Sequence, residues 1–481
     1  MANFVQAYKS TDLNAPSLVG AAKSLIYVLD AVLVNGYNSP NFMISLVGNG
    51  TTTTVTVAST ANLVTGQTVT VAGASIGTMN GTFTITVATG TTFTYLSAGN
   101  GTSTGSPTYS PTLPISTITR SGTTATVTTS QNNSTLVTGN WVTVSGAAQT
   151  DYNGTFQITV LSGTQFTYQV ANSPVTPATG TIVYWKAGLQ WTKPFAGGTN
   201  TQSYRSADAT SNKFYLQVID NAATAGTGKE AQVYGAEVLT ADSTPNNGGG
   251  AGSGQFPTTA QQASNLCWYK SSTADSTNAR AWTIFGDDRT FYYNPWTVIA
   301  GGGRLYGFGH FIPYKSGDGY NTFISAESAF NISTSATGLV VGCQTGQTTS
   351  QTAALYVSRA YTQAGSALTA NVMGTGFTGG GTFAMGGSGP ALVGTPNVQD
   401  NGFYFLPVTL WECAAGPPLR GRMPGFYTAI YNAAGTHANY DMLTNITNLS
   451  GVTLTGIFAN TSTASSTNLG YAFFDTFGPW N

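Results

Sequence analysis

Few residues of this chain have the chemistry and spacing that catalysis requires. Histidine is the side chain that titrates closest to neutral pH, and the sequence holds two, His310 in GFGHFIPY and His437 in GTHANY. Residue alternation predicts a strand around His310, whereas the segment around His437 is typical of a loop. Neither lies in a nucleophile, zinc-protease or phosphate-loop motif, so both are interpreted as structural histidines.

The carboxylates are scattered along the chain. Glu327 and Glu412 flank predicted strands and would form a glycosidase pair only if the fold brought their carboxyl groups within several ångströms. Asp287 and Asp288 predict a hairpin turn, where neighbouring residues face opposite ways and make a poor acid and base pair. Asp318 in KSGDG predicts a charged turn, for which solvation is favoured over contact with calcium or a sugar.

The cysteines, a glycine run and the aromatic residues are better explained by structure than by binding. The cysteines lack close Cys or His partners, which favours buried small hydrophobic residues over a disulfide or zinc site: Cys267, Cys343 and Cys413. The run GTGFTGGG (374–381) lacks the strand and helix that frame a phosphate loop. One aromatic group could line a carbohydrate platform, but a β-rich core is favoured: Trp268, Tyr269, Tyr292, Tyr293 and Trp296. The sequence therefore predicts no catalytic, cofactor-binding or metal-binding residue and no enzymatic activity.

The charge content of the chain is very low. Charged residues make up 7% of the sequence, against about a quarter in typical globular proteins, and none occurs between residues 31 and 119. The net charge is −1, and the nearest approach to a basic cluster is Arg420 with Arg422, which argues against nucleic acid as a partner. Hydroxyl and amide surfaces cost less to bury than charged ones, so the composition favours a homo-oligomer or other packed assembly.

The N-terminal region shows no targeting or membrane-spanning pattern. The segment MANFVQAYKSTDLN lacks the basic and apolar regions of a signal peptide. The apolar run 18–34 is short and contains Lys23 and Asp30. We expect no membrane span and synthesis in a cytoplasm.

Two segments are a tandem duplication. The first contains LVTGQTVTVAGA, NGTFTITV and FTY, and the second contains LVTGNWVTVSGA, NGTFQITV and FTY. The pairs Asn80/Asn153, Phe83/Phe156 and Phe93/Phe166 keep one offset, and alternating Val and Thr predict half-buried strands separated by Val-Thr-Gly and Asn-Gly turns. We expect two small antiparallel β-modules whose repeated Phe and Val residues are buried.

The remaining elements predict a mainly β protein. Residues 14–36 carry an apolar stripe at helical spacing, with Asn14 as the expected N-cap and Gly36 as the stop. From residue 186 onward, charges return and strand-like aromatic runs dominate. The predicted domains are an N-terminal helix that is part of the body (1–42), module 1 (43–111), module 2 (112–184) and the β-rich body (185–481).

Several motifs outside the repeats carry a family resemblance. They are WTKPFAGGTN from Trp191, YRS from Tyr204, FPTTAQQ from Phe256, YKSSTAD from Tyr269, YKSGDGY from Tyr314 and LDAVLVNG ending at Gly36. These segments resemble a family of virion structural proteins encoded by tailed bacteriophages and prophages, in which a β-module is often inserted at the same point. The repeats resemble the immunoglobulin-like modules found on phage head and tail proteins, and the resemblance carries over no catalytic residues.

The resemblance implies a structural subunit on the outer surface of a tailed-phage particle. Its expected partners are other virion proteins, either major capsid or tail proteins, and further copies of itself. Capsid decoration is favoured slightly over a tail or baseplate position. The alternative is a tail-associated protein that binds or degrades a host surface glycan.

Overall fold

The fold is mainly β, with 51% of the chain in strands and 6% in helix. The structure, a computed structural model, describes residues 4–207, 214–221, 230–242, 252–258, 266–270, 278–296, 304–328, 340–341, 353–373, 404–412, 419–429, 440, 442–444, 446, 448–449, 451–459 and 470–480. The mainly β fold class predicted from the alternating pattern is confirmed.

The chain divides into two compact units. The first, the body unit, comprises Met1–Ala7, Trp191–Ala274 and Trp282–Asn481. The second, the module unit, comprises Tyr8–Gln190 and Asp275–Ala281. Residues 8–42 therefore group with the two modules, whereas we expected residues 1–42 to belong to the body.

The N-terminal helix is shorter than the periodicity predicts. Helix α1 spans Ser24–Leu29 and continues as a π-helical segment Asp30–Asn35 and a 3-10 turn Gly36–Asn38. The expected cap at Asn14 is wrong: Asn14 has a left-handed backbone with φ 67° and contacts module 1 instead. The stop at Gly36 is confirmed by its φ of 74°, and a Cβ there would lie 2.4 Å from the Lys186 carbonyl oxygen.

The strands of the module unit form two sandwiches. After β1 (Gln6–Lys9), which crosses the unit boundary, module 1 contains β2 to β9 and module 2 contains β11 to β16, with β10 shared. Their bounds are β2 Asn41–Phe42, β3 Ser45–Asn49, β4 Thr52–Thr56, β5 Thr68–Ala72, β6 Gly81–Thr84, β7 Thr86–Val87, β8 Thr92–Leu96, β9 Asn100–Thr102, β10 Thr108–Ser121, β11 Thr124–Thr129, β12 Trp141–Ala147, β13 Gly154–Gln157, β14 Thr159–Ser162, β15 Gln165–Gln169 and β16 Gly180–Lys186.

The two modules repeat the same strand pairing. In module 1, β5 pairs with β6, and β4 pairs with β3 and β8. In module 2, β12 pairs with β13, and β11 pairs with β10 and β15. The register repeats as well, since Val69 lies opposite Phe83 and Val142 lies opposite Phe156. The duplication seen in the sequence is thus a duplication of structure.

Strand β10 joins the modules without a break. Its first part, Thr108 to Thr112, pairs with β5 of module 1, and its second part, Ile115 to Ser121, pairs with β11 of module 2. The predicted boundary between residues 111 and 112 therefore falls inside a single strand rather than in a linker. Because backbone hydrogen bonds hold both halves, the modules are fused through a shared element.

The body unit consists mainly of antiparallel strands around an aromatic core, with one parallel pair between β24 and β27. Its strands are β17 Thr201–Arg205, β18 Tyr215–Ile219, β19 Glu230–Leu239, β20 Gly252–Phe256, β21 Leu266–Tyr269, β22 Ala281–Gly286, β23 Thr290–Trp296, β24 Arg304–His310, β25 Ile312–Pro313, β26 Thr322–Ser328, β27 Val340–Val341, β28 Ala353–Val357, β29 Leu368–Met373, β30 Phe405–Glu412, β31 Leu419–Ala429, β32 Met442–Leu443, β33 Leu454–Ala459 and β34 Gly470–Asp475. Val5 packs into the main core of this unit with Phe285, Tyr292, Phe426 and Phe474.

Candidate functional site

A repeated asparagine clamp shapes one loop of each module. Asn80 accepts a hydrogen bond from the Ala74 amide and donates one to the Ala74 carbonyl, both at 2.9 Å. Asn153 makes the same two bonds to Ala147, at 2.9 and 2.7 Å. Each asparagine lies between a 3-10 turn (Gly77–Met79 or Thr150–Tyr152) and the edge strand that follows, so the Asn-Gly signal marks a clamped loop rather than a two-residue hairpin.

Aromatic stacking repeats beside each clamp. Phe83 stacks on Tyr95 with ring centroids 4.2 Å apart, and Phe156 stacks on Tyr168 at 4.3 Å. The hydroxyl of Tyr95 donates to the Met79 carbonyl at 2.8 Å, and in module 2 the Tyr168 hydroxyl donates to the Tyr152 carbonyl at 2.9 Å. Burial raises the pKa of Tyr95 to about 12, which keeps this hydroxyl a donor.

The expectation that all repeated hydrophobic residues are buried is partly wrong. Phe93 and Phe166 are fully enclosed, with 0% and 2% exposure. Phe83 and Phe156 are only partly buried, and so are Val87 and Val160. The reason is that the less buried residues lie on β6, β7, β13 and β14, which are edge strands of their sheets.

The N-terminal segment 10–15 is a strap that binds both modules. On module 1, the Asn14 amide donates to the Asn62 carbonyl at 2.8 Å, and the Gln67 side chain donates to Asn14 Oδ1 at 2.9 Å. On module 2, the Leu13 amide donates to Thr135 Oγ1 at 3.1 Å, and Leu13 packs against the core. The strap and strand β10 together fix one module relative to the other.

A buried ion pair connects this strap to the end of module 2. Lys186 Nζ donates to Asp12 Oδ2 at 2.7 Å, and the Tyr37 hydroxyl donates to the same oxygen at 2.9 Å. The ammonium lies 5.2 Å from the centre of the Tyr8 ring and 5.9 Å from that of Tyr37. Burial raises the pKa of Tyr37 well above its ordinary value, and the nearby Asp12 carboxylate raises it further.

The Asp287–Asp288 turn is a structural turn in the body unit. Asp287 Oδ1 accepts hydrogen bonds from the amides of Arg289 and Thr290 at 2.9 and 2.7 Å, so it closes the predicted hairpin between β22 and β23. The side chain is fully buried, and burial raises its pKa from 3.8 to about 7. The Asp287 carbonyl accepts from the Trp191 indole at 2.9 Å.

Asp318 and Glu412 both form ion pairs with one arginine. Arg420 forms a two-point contact with Asp318, at 2.8 and 3.1 Å, and a further hydrogen bond with Glu412. Asp318 and Glu412 are 6% and 0% exposed, so the expectation of a solvated turn at Asp318 is wrong. Burial raises the pKa of Glu412, although Arg420 opposes that effect.

The backbone register separates Glu327 from Glu412. Glu327 lies on β26 and Glu412 on β30, with β28 and β29 between them. Three strand spacings of about 4.8 Å give about 14 Å in a flat sheet, whereas a glycosidase pair needs about 5 to 9.5 Å between its carboxyl groups. The side chain of Glu327 lies outside the described residues. This register disfavours the pair.

The remaining candidates are core residues or lie outside the described part. Trp268, Tyr269, Tyr292 and Tyr293 are at most 2% exposed, which confirms the core interpretation for these four aromatic residues. His310 is 6% exposed in β24, and Cys267 is buried in β21. The side chain of Trp296 and the other candidates lie outside the described residues: His437, Cys343, Cys413 and the glycine run 374–381.

The described part of the chain contains no group of three or more His, Cys, Asp or Glu residues that could hold a metal ion. Within the same part, no helix combines the length and apolar composition needed to cross a bilayer. The residues that sequence reasoning missed are Asp12 and Lys186, because nothing local in the sequence pairs positions so far apart. Compared with known proteins, the chain matches no family model and no curated protein.

Proposed function

We propose that this chain is a structural subunit on the outer surface of a tailed-phage particle, in capsid decoration or in the tail or baseplate. The body unit would join the virion through capsid or tail proteins, and the paired modules, of immunoglobulin-like type, would be presented to the outside. The chain would be made in the host cytoplasm and located in the virion. The sequence resemblance motivates this proposal.

The observation that carries the proposal is that the two modules of the module unit are joined in a fixed arrangement. Shared strand β10 and the strap 10–15 hold two copies of one module in a fixed relation. Module 1 contains no charged residue, and its solvent-facing side chains are mainly hydroxyls. A rigid pair of modules, in which module 1 is uncharged and module 2 carries only Arg120 and Asp151, suits repeated contacts with neighbours, since burying hydroxyls costs little compared with burying charges.

The candidate catalytic groups support a structural role over the enzymatic alternative. Asp318 and Glu412 form buried ion pairs with Arg420, and Asp287 is held by two backbone amides. The alternative function is that of a tail protein that degrades or binds a host glycan. Release of reducing ends from host polysaccharide, abolished by Glu412→Gln, would favour that alternative.

The stoichiometry of purified virions tests the proposal. Gel-band intensities are compared with those of the major capsid protein. A copy number of the same order as the capsid protein indicates decoration, and a far lower but fixed number indicates a tail or baseplate component. Absence of the chain from purified virions would contradict the proposed function.

A further inference from the structure

Each module has one sandwich edge that the chain covers. In module 1, strand β9 pairs with β3 and covers that edge. In module 2, the equivalent edge along β10 is covered by a loop: the Ala178 amide donates to the Ile118 carbonyl at 2.9 Å. The Arg120 guanidinium also holds this loop through the carbonyls of Ser173, at 3.1 Å, and Pro174. A strand in module 1 and a loop in module 2 therefore cover equivalent edges.

In both modules, no segment of the described part of the chain pairs with the opposite edge. Among the described residues, β6 pairs only with β5, and β13 pairs only with β12. In module 1, the Ile85 amide donates to the Gln67 carbonyl at 3.0 Å, which directs the residue 85 backbone toward the neighbouring strand. Because backbone groups alternate in direction along a strand, the amides and carbonyls of Thr82 and Thr84 point outward.

The open edge of module 1 is a short strand, but it has no charged side chain or proline to keep another strand from pairing. Soluble proteins blunt such edges with charged side chains, proline or bulges. Strand β6 reads Gly-Thr-Phe-Thr, its Thr82 and Thr84 side chains are exposed, and no charged residue occurs from 31 to 119. Two such edges would not repel each other.

Threonine pairs across strands already stabilise this sheet. Thr82 Oγ1 lies 3.0 Å from Thr70 Oγ1, and Thr68 Oγ1 lies 2.7 Å from Thr112 Oγ1. Module 2 has an equivalent pair between Thr143 and Thr155 at 2.9 Å. Cross-strand hydroxyl pairs of this kind are a known source of sheet stability.

We propose that the β6 edge of one chain pairs antiparallel with the β6 edge of a second copy, which extends the sheet β6–β5–β10 across a two-fold axis. With the axis beside Phe83, Thr82 of each copy faces Thr84 of the other and repeats the hydroxyl pairing within the chain. A two-fold contact places the same patch of both partners together, so the patch must be complementary to itself. An uncharged strand meets this condition because it does not repel its own copy. The inference deepens the proposed function, on which it rests, by naming the partner of the module surface.

Sedimentation velocity of the full-length chain over a concentration series tests this pairing. The wild-type chain is expected to self-associate. Thr84→Lys should raise the dissociation constant by about tenfold or more, because a lysine on an edge strand opposes pairing with another strand. The matched control is Thr54→Lys, an exposed threonine on β4, which pairs on both sides within the chain and should associate as the wild type does.

Thr82→Lys is the second edge variant, and circular dichroism verifies that each variant keeps its β structure. A wild-type chain that stays monomeric at every concentration would overturn the inference. Equal association of the two edge variants and the Thr54→Lys control would overturn it as well. Virion stoichiometry separates the two proposals: a chain present in virions with unaffected edge variants refutes only the edge pairing, and a chain absent from virions refutes the proposed function.

Discussion

Lys186 and Asp12, separated by 174 residues, form an ion pair that is almost fully withdrawn from solvent. One partner ends module 2, and the other lies in the strap 10–15. The carboxylate also accepts from the Tyr37 hydroxyl and the Lys9 amide, so four elements meet at one oxygen. The pair joins the strap to the last residue of β16 in module 2.

Removing one partner of this pair should destabilise the module unit. Asp12→Asn leaves a buried ammonium without its counter-charge, and such losses cost about 3–5 kcal/mol. The double variant Asp12→Asn with Lys186→Met should cost less than Asp12→Asn alone, since no charge is then left unpaired. Hydrogen exchange of the amides in β16 and the strap measures the effect.

Lys193→Met is the control for that experiment, because Lys193 is exposed. It should leave exchange in β16 unchanged. If Asp12→Asn also leaves that exchange unchanged, the pair does not stabilise the unit.

Equivalent aromatic residues in module 2 should differ in their contribution to stability. Phe166 is 2% exposed and lies on a strand between β11 and β14, so Phe166→Ala should cost about 3–5 kcal/mol. Phe156 is partly buried on edge strand β13, so Phe156→Ala should cost clearly less. Hydrogen exchange of the module-unit amides, measured for both variants over a denaturant series, shows which substitution lowers the free energy of unfolding more. Equal costs would contradict the assignment of β13 as an edge.

The difference between those two residues shows where sequence reasoning succeeds. The constant offset of Phe83/Phe156 and Phe93/Phe166 is enough to predict a structural repeat, and the alternation of Val and Thr is enough to predict strands. Neither pattern reveals which strand lies at an edge, because edges depend on which neighbours the chain provides. Strand β9 and the loop held by Arg120 cover equivalent edges of the two modules, but they share no sequence signal.

Asn14 and Asp12 show why the rest could not be predicted. Asn before a proline and an apolar stripe is typical of a helix cap, but Asn14 bonds to Gln67 of module 1, and α1 begins at Ser24. The ion pair of Asp12 depends on tertiary contact with residue 186. Likewise, β10 crosses the expected domain boundary because strand pairing continues through both modules.

Asp287 should make the stability of the body unit depend on pH. Its pKa in the folded protein is about 7, above the ordinary 3.8. At pH values between these two, the folded state holds a proton that the unfolded state has lost. The free energy of unfolding should therefore fall as pH rises from about 4 to about 7, with a slope of at most about 1.4 kcal/mol per pH unit from this group, and level off above. Denaturant unfolding across this pH range measures the slope.

Asp287→Asn is the matched variant, since the amide oxygen can still accept from the Arg289 and Thr290 amides. It should reduce this pH dependence, and Asp151→Asn on module 2 should not. The same pH slope in wild type and Asp287→Asn would show that the buried carboxyl does not titrate in this range.

Particle-bound protein should resist high salt if the proposed function is right. The chain has 16 basic and 17 acidic residues in 481, and module 1 has none. The ion pairs of Lys186 and Arg420 are buried within their own units, so they are not available to hold the chain on a particle. At about 1 M salt the Debye length falls to about 3 Å, which weakens contacts between exposed charges but leaves shape and hydrogen-bond contacts largely intact. Virions washed at about 1 M salt should retain this protein at the level of a low-salt wash, measured by gel densitometry against the major capsid protein. Quantitative release under the high-salt wash would mean that exposed charge pairs form the attachment, contrary to the uncharged assembly surface proposed for the chain.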